Sequence, residues 1–194
     1  MAVDEQALAD SILGLTGALQ AVDGPPVQPV SAYLMRIVTA AEDLLAADSA
    51  GILLLDEAGT LCAVASSTEL AGALERAQQR LGLGPGQDTL ARRGSVLVTD
   101  LTSVPGYAPL LAELGPQPVR AVLSVPIWVD AEVVGNLNLI RTEVHDWTDT
   151  EVRAAEAYAE VVGRLLGMSV QSWSSGPAGR RRLRSGRLAA GTGE

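Results

Sequence analysis

The chain has 194 residues, 47% of them apolar, and a formal net charge of −9. That length fits one domain with appended helices, enough to bury a core without staples. A single cysteine, Cys62, and a single histidine, His145, exclude an intrachain disulfide and an intrachain Cys/His metal or haem cage. No apolar run approaches the roughly 20 residues of a bilayer crossing, and no charged-then-apolar leader opens the chain, so a soluble cytoplasmic protein without membrane contact is expected.

All fourteen basic residues are arginine, a bias expected of a GC-rich bacterial genome. Five of them, Arg180, Arg181, Arg182, Arg184 and Arg187, stand against Glu194 and make residues 171–194 basic, while nine arginines against 22 acidic residues leave −13 on residues 1–170. An acidic body repels phosphate backbones, so nucleic acid is expected only at the tail, if at all.

In chain order, Leu8, Ile12, Leu15, Leu19 and Val22 recur at spacings of three and four and predict a helix over 4–21. Pro25, Pro26 and Pro29 end it, so residues 1–30 read as an N-terminal helix and linker. A second helix is expected from Ser31, as N-cap, to near Asp48, with Leu34, Ile37, Val38, Ala41, Leu44 and Leu45 inward. Strands at Gly51–Asp56 and Thr60–Ser66 form a hairpin through Glu57-Ala58-Gly59. Glu69–Leu81 reads as a helix ended by Gly82-Leu-Gly-Pro-Gly, Asp88–Arg93 as a further helical turn, and Ser95–Thr99 as a strand. Six prolines and glycines between Leu101 and Pro118 leave room for a short helix around Pro109–Leu114, which covers one sheet face.

The runs Val119–Val129 and Glu132–Ile140 meet at Asp130-Ala131 and predict a second hairpin. With that turn, Val129 faces Glu132. Counting back puts Leu123, Val125, Ile127, Val134, Asn136 and Asn138 on one face, with Val122, Ser124, Pro126, Trp128, Val133, Gly135, Leu137 and Leu139 on the other. Asn136 and Asn138 could hydrogen-bond a ligand or satisfy loop backbone crossing that face, with the structural role ranked first.

The last helix starts at a capping box, Thr148 with Glu151, and Trp147 can staple onto Val152. Val152, Ala155, Ala159, Val162 and Leu166 form one stripe; Ala154, Tyr158, Val161, Leu165 and Met168 form another beside it. Two stripes call for two partners, which suggests its own sheet plus a second copy of the chain, or packing wholly within one chain. After Ser169 the apolar period stops, and residues 171–194 are expected to be a disordered, arginine-rich tail.

Three residues or segments that invite chemistry have plain readings. His145 lacks a neighbouring nucleophile and an elbow motif, so it shapes the start of the helix. Gly82–Gly86 lacks a P-loop's Lys-Ser/Thr ending and reads as a turn. Cys62, in a predicted strand, reads as core filler.

The element order resembles a GAF domain, the small-molecule sensor fold related to PAS. Gly84-Pro-Gly-Gln-Asp-Thr-Leu-Ala-Arg-Arg-Gly, Ser95-Val-Leu-Val-Thr-Asp-Leu, Val119-Arg-Ala-Val-Leu-Ser-Val-Pro-Ile and Gly135-Asn-Leu-Asn-Leu are similar to the GAF domains of bacterial GAF-ANTAR regulators, over roughly residues 31–169. The resemblance implies an α+β fold over residues 31–170: an antiparallel sheet of about five or six strands, terminal helices on one face, and a pocket under short helices on the other. It implies a cytoplasmic sensor that binds a small molecule or partner protein and signals as a homodimer through its terminal helices. Asp100, Thr102, Tyr107, Leu123, Asn136 and Asn138 are then the ligand-binding candidates, with the ligand or cofactor unspecified.

The chain also departs from relatives. A short Arg-rich tail follows the last helix where the RNA-binding ANTAR module would stand, so an antitermination regulator working through the tail or a partner chain ranks second. Gln87 follows Gly84-Pro-Gly, and the thiol that many relatives carry at Gly86 is absent. No cyclic-nucleotide NKFDE motif is visible. GAF-type methionine sulfoxide reductases use several cysteines, and one cysteine cannot perform that cycle, so no enzymatic activity is expected.

Overall fold

Two hairpins and one short strand build the sheet. In the computed structural model, which describes residues 30–175, the strands are β1 (Ser49–Leu55), β2 (Leu61–Ser66), β3 (Val96–Val98), β4 (Ala121–Val129) and β5 (Glu132–Arg141). They form one antiparallel sheet in the order β2-β1-β5-β4-β3. The helices are α1 (Val30–Leu44), α2 (Glu69–Leu81), α3 (Pro85–Arg92), α4 (Ala108–Leu114) and α5 (Asp149–Ser175), with single 3-10 turns at Leu101–Ser103 and Pro105–Tyr107. The α+β class and five-stranded sheet agree with expectation. The helix predicted over 4–21, its linker, and residues 176–194 lie outside the described residues.

The sheet is the middle of three layers, because both faces are apolar along most of their length. On one face Ile52, Leu123, Val125, Ile127, Leu137 and Leu139 meet Ile37, Val38 and Ala41 of α1 and Ala155, Tyr158, Ala159 and Val162 of α5. Each large side chain so buried contributes about 1.5–3 kcal/mol relative to exposure. On the other face Val96, Val98, Val122 and Ile140 meet Leu74 of α2, Leu110 and Leu114 of α4, and Tyr107. Residues of both α5 stripes join the first cluster, and the Tyr158 hydroxyl donates to the Ile37 carbonyl at 2.7 Å, tying α5 to α1.

The strand register differs from expectation by one residue. The turn does pair Val129 with Glu132, with the positive φ on Asp130 (54°). Trp128 then faces Val133, but Ile127 faces Gly135, so Val134 is the extra residue of a β-bulge. Beyond the bulge every residue of β5 sits one place further along β4, which inverts the partners. Asn136 lies opposite Pro126 and Asn138 opposite Ser124, whereas Leu123 and Val125 face Leu139 and Leu137. Leu123 is therefore on the terminal-helix face, opposite the asparagines.

Two helix starts show how local sequence acts. α3 begins three residues before the expected Asp88, since Pro85 presets φ for a first turn and Gly84 takes φ 143° at the N-cap. At α5 the Thr148 amide donates to Glu151 Oε2 (2.8 Å) and the Glu151 amide to Thr148 Oγ1 (3.3 Å), the reciprocal box expected. Thr148→Ala should lower unfolding free energy by about 1 kcal/mol. The check is a lower urea midpoint with an unchanged m-value. The helix continues to Ser175, past the end expected near Ser169.

Candidate functional site

The sheet face turned toward α2 and α3 carries a polar strip within an apolar layer. Ser124, Asn136 and Asn138 are all fully buried there, as are Glu75 and Gln78 of α2. Glu75 and Gln78 stand one turn apart, so they share one face of α2. Gly51, paired with Asn138 on the neighbouring strand, leaves the space that Glu75 fills: a Cβ at that position would fall 2.3 Å from Glu75 Oε1.

Hydrogen bonds order the cluster. Asn138 Nδ2 donates to both Glu75 oxygens at 2.9 Å, and Gln78 Nε2 donates to Glu75 Oε2 at 3.0 Å. Asn136 Nδ2 donates to Asn138 Oδ1 (2.8 Å) and to Ser124 Oγ (3.1 Å). The Gly86 amide of α3 donates to Gln78 Oε1 at 2.8 Å, and Thr89 Oγ1 donates to the Ser124 carbonyl at 3.2 Å. Asn136 Oδ1 is buried without a partner. Burial pushes the Glu75 carboxyl up to about 8, against the bonds from Asn138 and Gln78 that favour its charged form. At neutral pH this buried carboxyl is mostly protonated.

The remaining predicted residues disperse. Asp100 caps the first 3-10 turn through the Thr102 amide (3.0 Å) and pairs with Arg120, Nη2 to Oδ2 at 2.8 Å. Thr102 is exposed. The hydrogen bond from Arg120 is the main reason the Asp100 carboxyl is lowered to about 2. Arg120→Ala should bring it up toward its ordinary 3.8, read as a rise in the midpoint of its carboxyl carbon-13 titration. Tyr107 is buried and donates its hydroxyl to Asp88 Oδ2 of α3 at 2.7 Å, so it braces the cover from one side. Leu123 faces away. Of the six candidates, only Asn136 and Asn138 join the buried cluster; Asp100 and Thr102 bond each other at a strand end.

Glu75, Gln78, Ser124 and Thr89 were missed. A polar pair at i and i+3 beside the apolar Leu74 and Ala77, together with a glycine inside β1, was the available signal. His145 holds Glu151 Oε1 at 2.9 Å beside the helix start, edge-on to Trp147, in the shaping role expected. Cys62 is half-buried at the sheet edge, its thiol donating to Asp56 Oδ2 at 3.7 Å, and is not in the core as expected, because β2 is an edge strand. A surface groove of about 840 Å³ lies elsewhere, between Trp128, Arg93 and α5, where Arg93, Arg153 and Arg164 meet Asp130, Glu156 and Glu160 in balance. Among the described residues no group of three His, Cys, Asp or Glu could hold a metal, and no helix is long and apolar enough to cross a membrane.

A family model described as the GAF domain matches residues 30–166. Comparison with curated proteins finds no match. Among solved structures, the fold is similar to the domain of a two-component sensor histidine kinase protein from Sinorhizobium meliloti 1021, with 22% identity, a TM-score of 0.61, and coverage of 79% of this chain and 98% of that one. It is similar to the GAF domain of a phosphoenolpyruvate-protein phosphotransferase from Coxiella burnetii, with 17% identity, a TM-score of 0.65, and coverage of 88% and 99%. It is also similar to the free methionine-R-sulfoxide reductase from Neisseria meningitidis, solved with its substrate, with 15% identity, a TM-score of 0.63, and coverage of 89% and 96%. That last likeness corrects the expectation of no enzymatic activity: an enzyme is built on the same fold, so catalysis is open to this architecture. With a family model that spans residues 30–166, well over half of the sequence, the chain belongs to the GAF domain family.

Proposed function

We propose that this chain is a cytoplasmic sensor and regulatory domain that binds a small molecule on the sheet face of Asn136 and Asn138, beneath α2 and α3. The observation that carries the reading is the unpartnered Asn136 Oδ1 within a fully buried polar cluster, a feature that costs stability unless something uses it. The cover supports it too: α3 buries only Pro85, Gly86 and Thr89, small or polar groups that hold it weakly against a polar floor. Mass spectrometry of small molecules carried through native purification tests the reading. A compound retained by the parent chain and lost from Asn136→Leu supports it, and no retained or added compound binding there rejects it.

The signal would leave through α5, which packs against β4 on the opposite face of the same sheet. A homodimer through the terminal helices fits the part-exposed Met35 on α1 and the partly buried Val161 and Leu166 on α5. Light scattering that finds only monomers at high micromolar concentration would reject that assembly. The second reading, an RNA-linked antitermination regulator, draws on the resemblance of the segments around Gly84, Ser95, Val119 and Gly135 to GAF-ANTAR regulators and on the arginines from Arg180 to Arg187. Deleting residues 176–194 should then abolish RNA binding; unchanged binding, or none at the outset, rejects it.

A further inference from the structure

We infer that the site over Asn136 takes a small ligand bearing a cationic nitrogen with N–H donors, an ammonium, amidinium or guanidinium group, received by the Asn136 carbonyl oxygen and balanced by the Glu75 carboxylate. It rests on the sensor reading above and names the ligand class.

The direction of the hydrogen bonds carries the argument. A backbone amide only donates, so the Gly86 N–H fixes Gln78 with Oε1 toward α3 and Nε2 toward Glu75. Glu75 is thus addressed as an acceptor. Asn138 turns its Nδ2 to both Glu75 oxygens and its Oδ1 to Asn136, and Asn136 turns its Nδ2 to Asn138. The group left at the end of this relay is an oxygen, Asn136 Oδ1, with no donor to meet it. The cluster therefore ends in one surplus acceptor, Asn136 Oδ1, and at the other end in the buried Glu75 carboxyl, which accepts every hydrogen bond it makes here. None of the ion pairs among the described residues includes Glu75. An anionic ligand would bring an acceptor to an acceptor and hold the proton on Glu75; a donor cation meets the free oxygen and favours the ionised carboxyl.

The way in is under α3. A Cβ on Gly86 would lie 2.9 Å from Asn136 Nδ2 and 3.1 Å from Oδ1, so the helix backbone occupies the place a ligand would take. α3 is bracketed by left-handed residues, Gly82 (φ 59°) and Gly84 (φ 143°) before it and Arg93 (φ 52°) after it. It is tied to α2 by the Gly86 amide on Gln78, to β4 by Thr89 on the Ser124 carbonyl, and to Tyr107 through Asp88. A cation held by Asn136 Oδ1 keeps the relay in the direction that requires ionised Glu75. Because burial holds a proton on Glu75 near neutral pH, binding releases that proton and tightens as pH rises.

The test is titration of the intact chain with acetamidinium, acetamide and acetate, three compounds of nearly one shape and different charge. The readout is the amide resonances of Gly86 and the side-chain resonances of Gln78 and Asn136. Acetamidinium alone should shift them, more tightly at pH 8 than at pH 6, and at least tenfold more weakly in Glu75→Gln and in Asn136→Ala. Equal shifts by acetate or acetamide, or acetamidinium binding that ignores pH and both substitutions, would overturn the inference. If acetamidinium fails while a co-purified acidic or neutral compound moves the same resonances, the cation is rejected and the sensor reading stands. If nothing small binds there, both fall.

Discussion

Gly163→Ala is expected to destabilise the domain by about 3 kcal/mol. Helix propensity alone gives the opposite sign, since alanine in a helix interior is favoured over glycine by about 1 kcal/mol. Contact geometry decides between them. A Cβ at residue 163 would fall 2.0 Å from the Trp128 carbonyl oxygen and 3.0 Å from its carbonyl carbon. Both are backbone atoms of β4, which is fixed by pairing with β5, so they cannot swing aside as a side chain could. α5 would have to lift, loosening Ala159 and Val162 from the sheet. Urea denaturation of the two chains reads the difference directly. A midpoint that rises on Gly163→Ala would show that α5 does not approach β4 so closely.

The second large effect is a pH slope that belongs to Glu75. Its carboxyl stands at about 8 in the fold against an ordinary 4.5, with burial as the main cause. Below pH 4.5 both folded and unfolded chains hold the proton, and the stabilisation is fully present. Between there and about pH 8 the unfolded chain has lost a proton that the folded chain keeps, so stability falls as pH rises, by up to about 1.4 kcal/mol per pH unit. Above the folded value the loss is complete. Glu75→Gln keeps the neutral shape and removes the titration, so its stability relative to the parent should grow from pH 5 to pH 9. A difference between the two chains that stays constant across that range would mean that Glu75 is not held in a buried, uncharged state.

The parts of this architecture that local patterns govern were legible in the residues. The hairpin turns, α2 from Glu69 to Leu81, and the Thr148–Glu151 box each depend on neighbours within a few positions, and each lies where its pattern puts it. The register of β4 against β5 depends on a bulge at Val133 and Val134. A bulge inserts one residue without altering apolar composition, so alternation alone predicted the wrong face for Leu123. Asn136 and Asn138 were readable as candidates because two polar residues interrupt an apolar strand. Their partner Glu75 was not, since it lies 63 positions from Asn138 and, like Gln78 beside it, looks like an ordinary helix-surface residue until α2 is laid over Gly51. Asp100 and Thr102 have the residue types of a pocket but satisfy each other and Arg120 at a strand end.

On the sensor reading α3 is a weakly held cover over a buried polar floor, and native-state hydrogen exchange on the intact chain reads its local opening without a known ligand. Amides of Gly86 to Arg92 should exchange through an opening several kcal/mol less costly than global unfolding, as roughly estimated for small, polar attachments, while those of Val125, Leu137 and Leu139 exchange only with the whole domain. Equal protection of α3 and the central strands would contradict it.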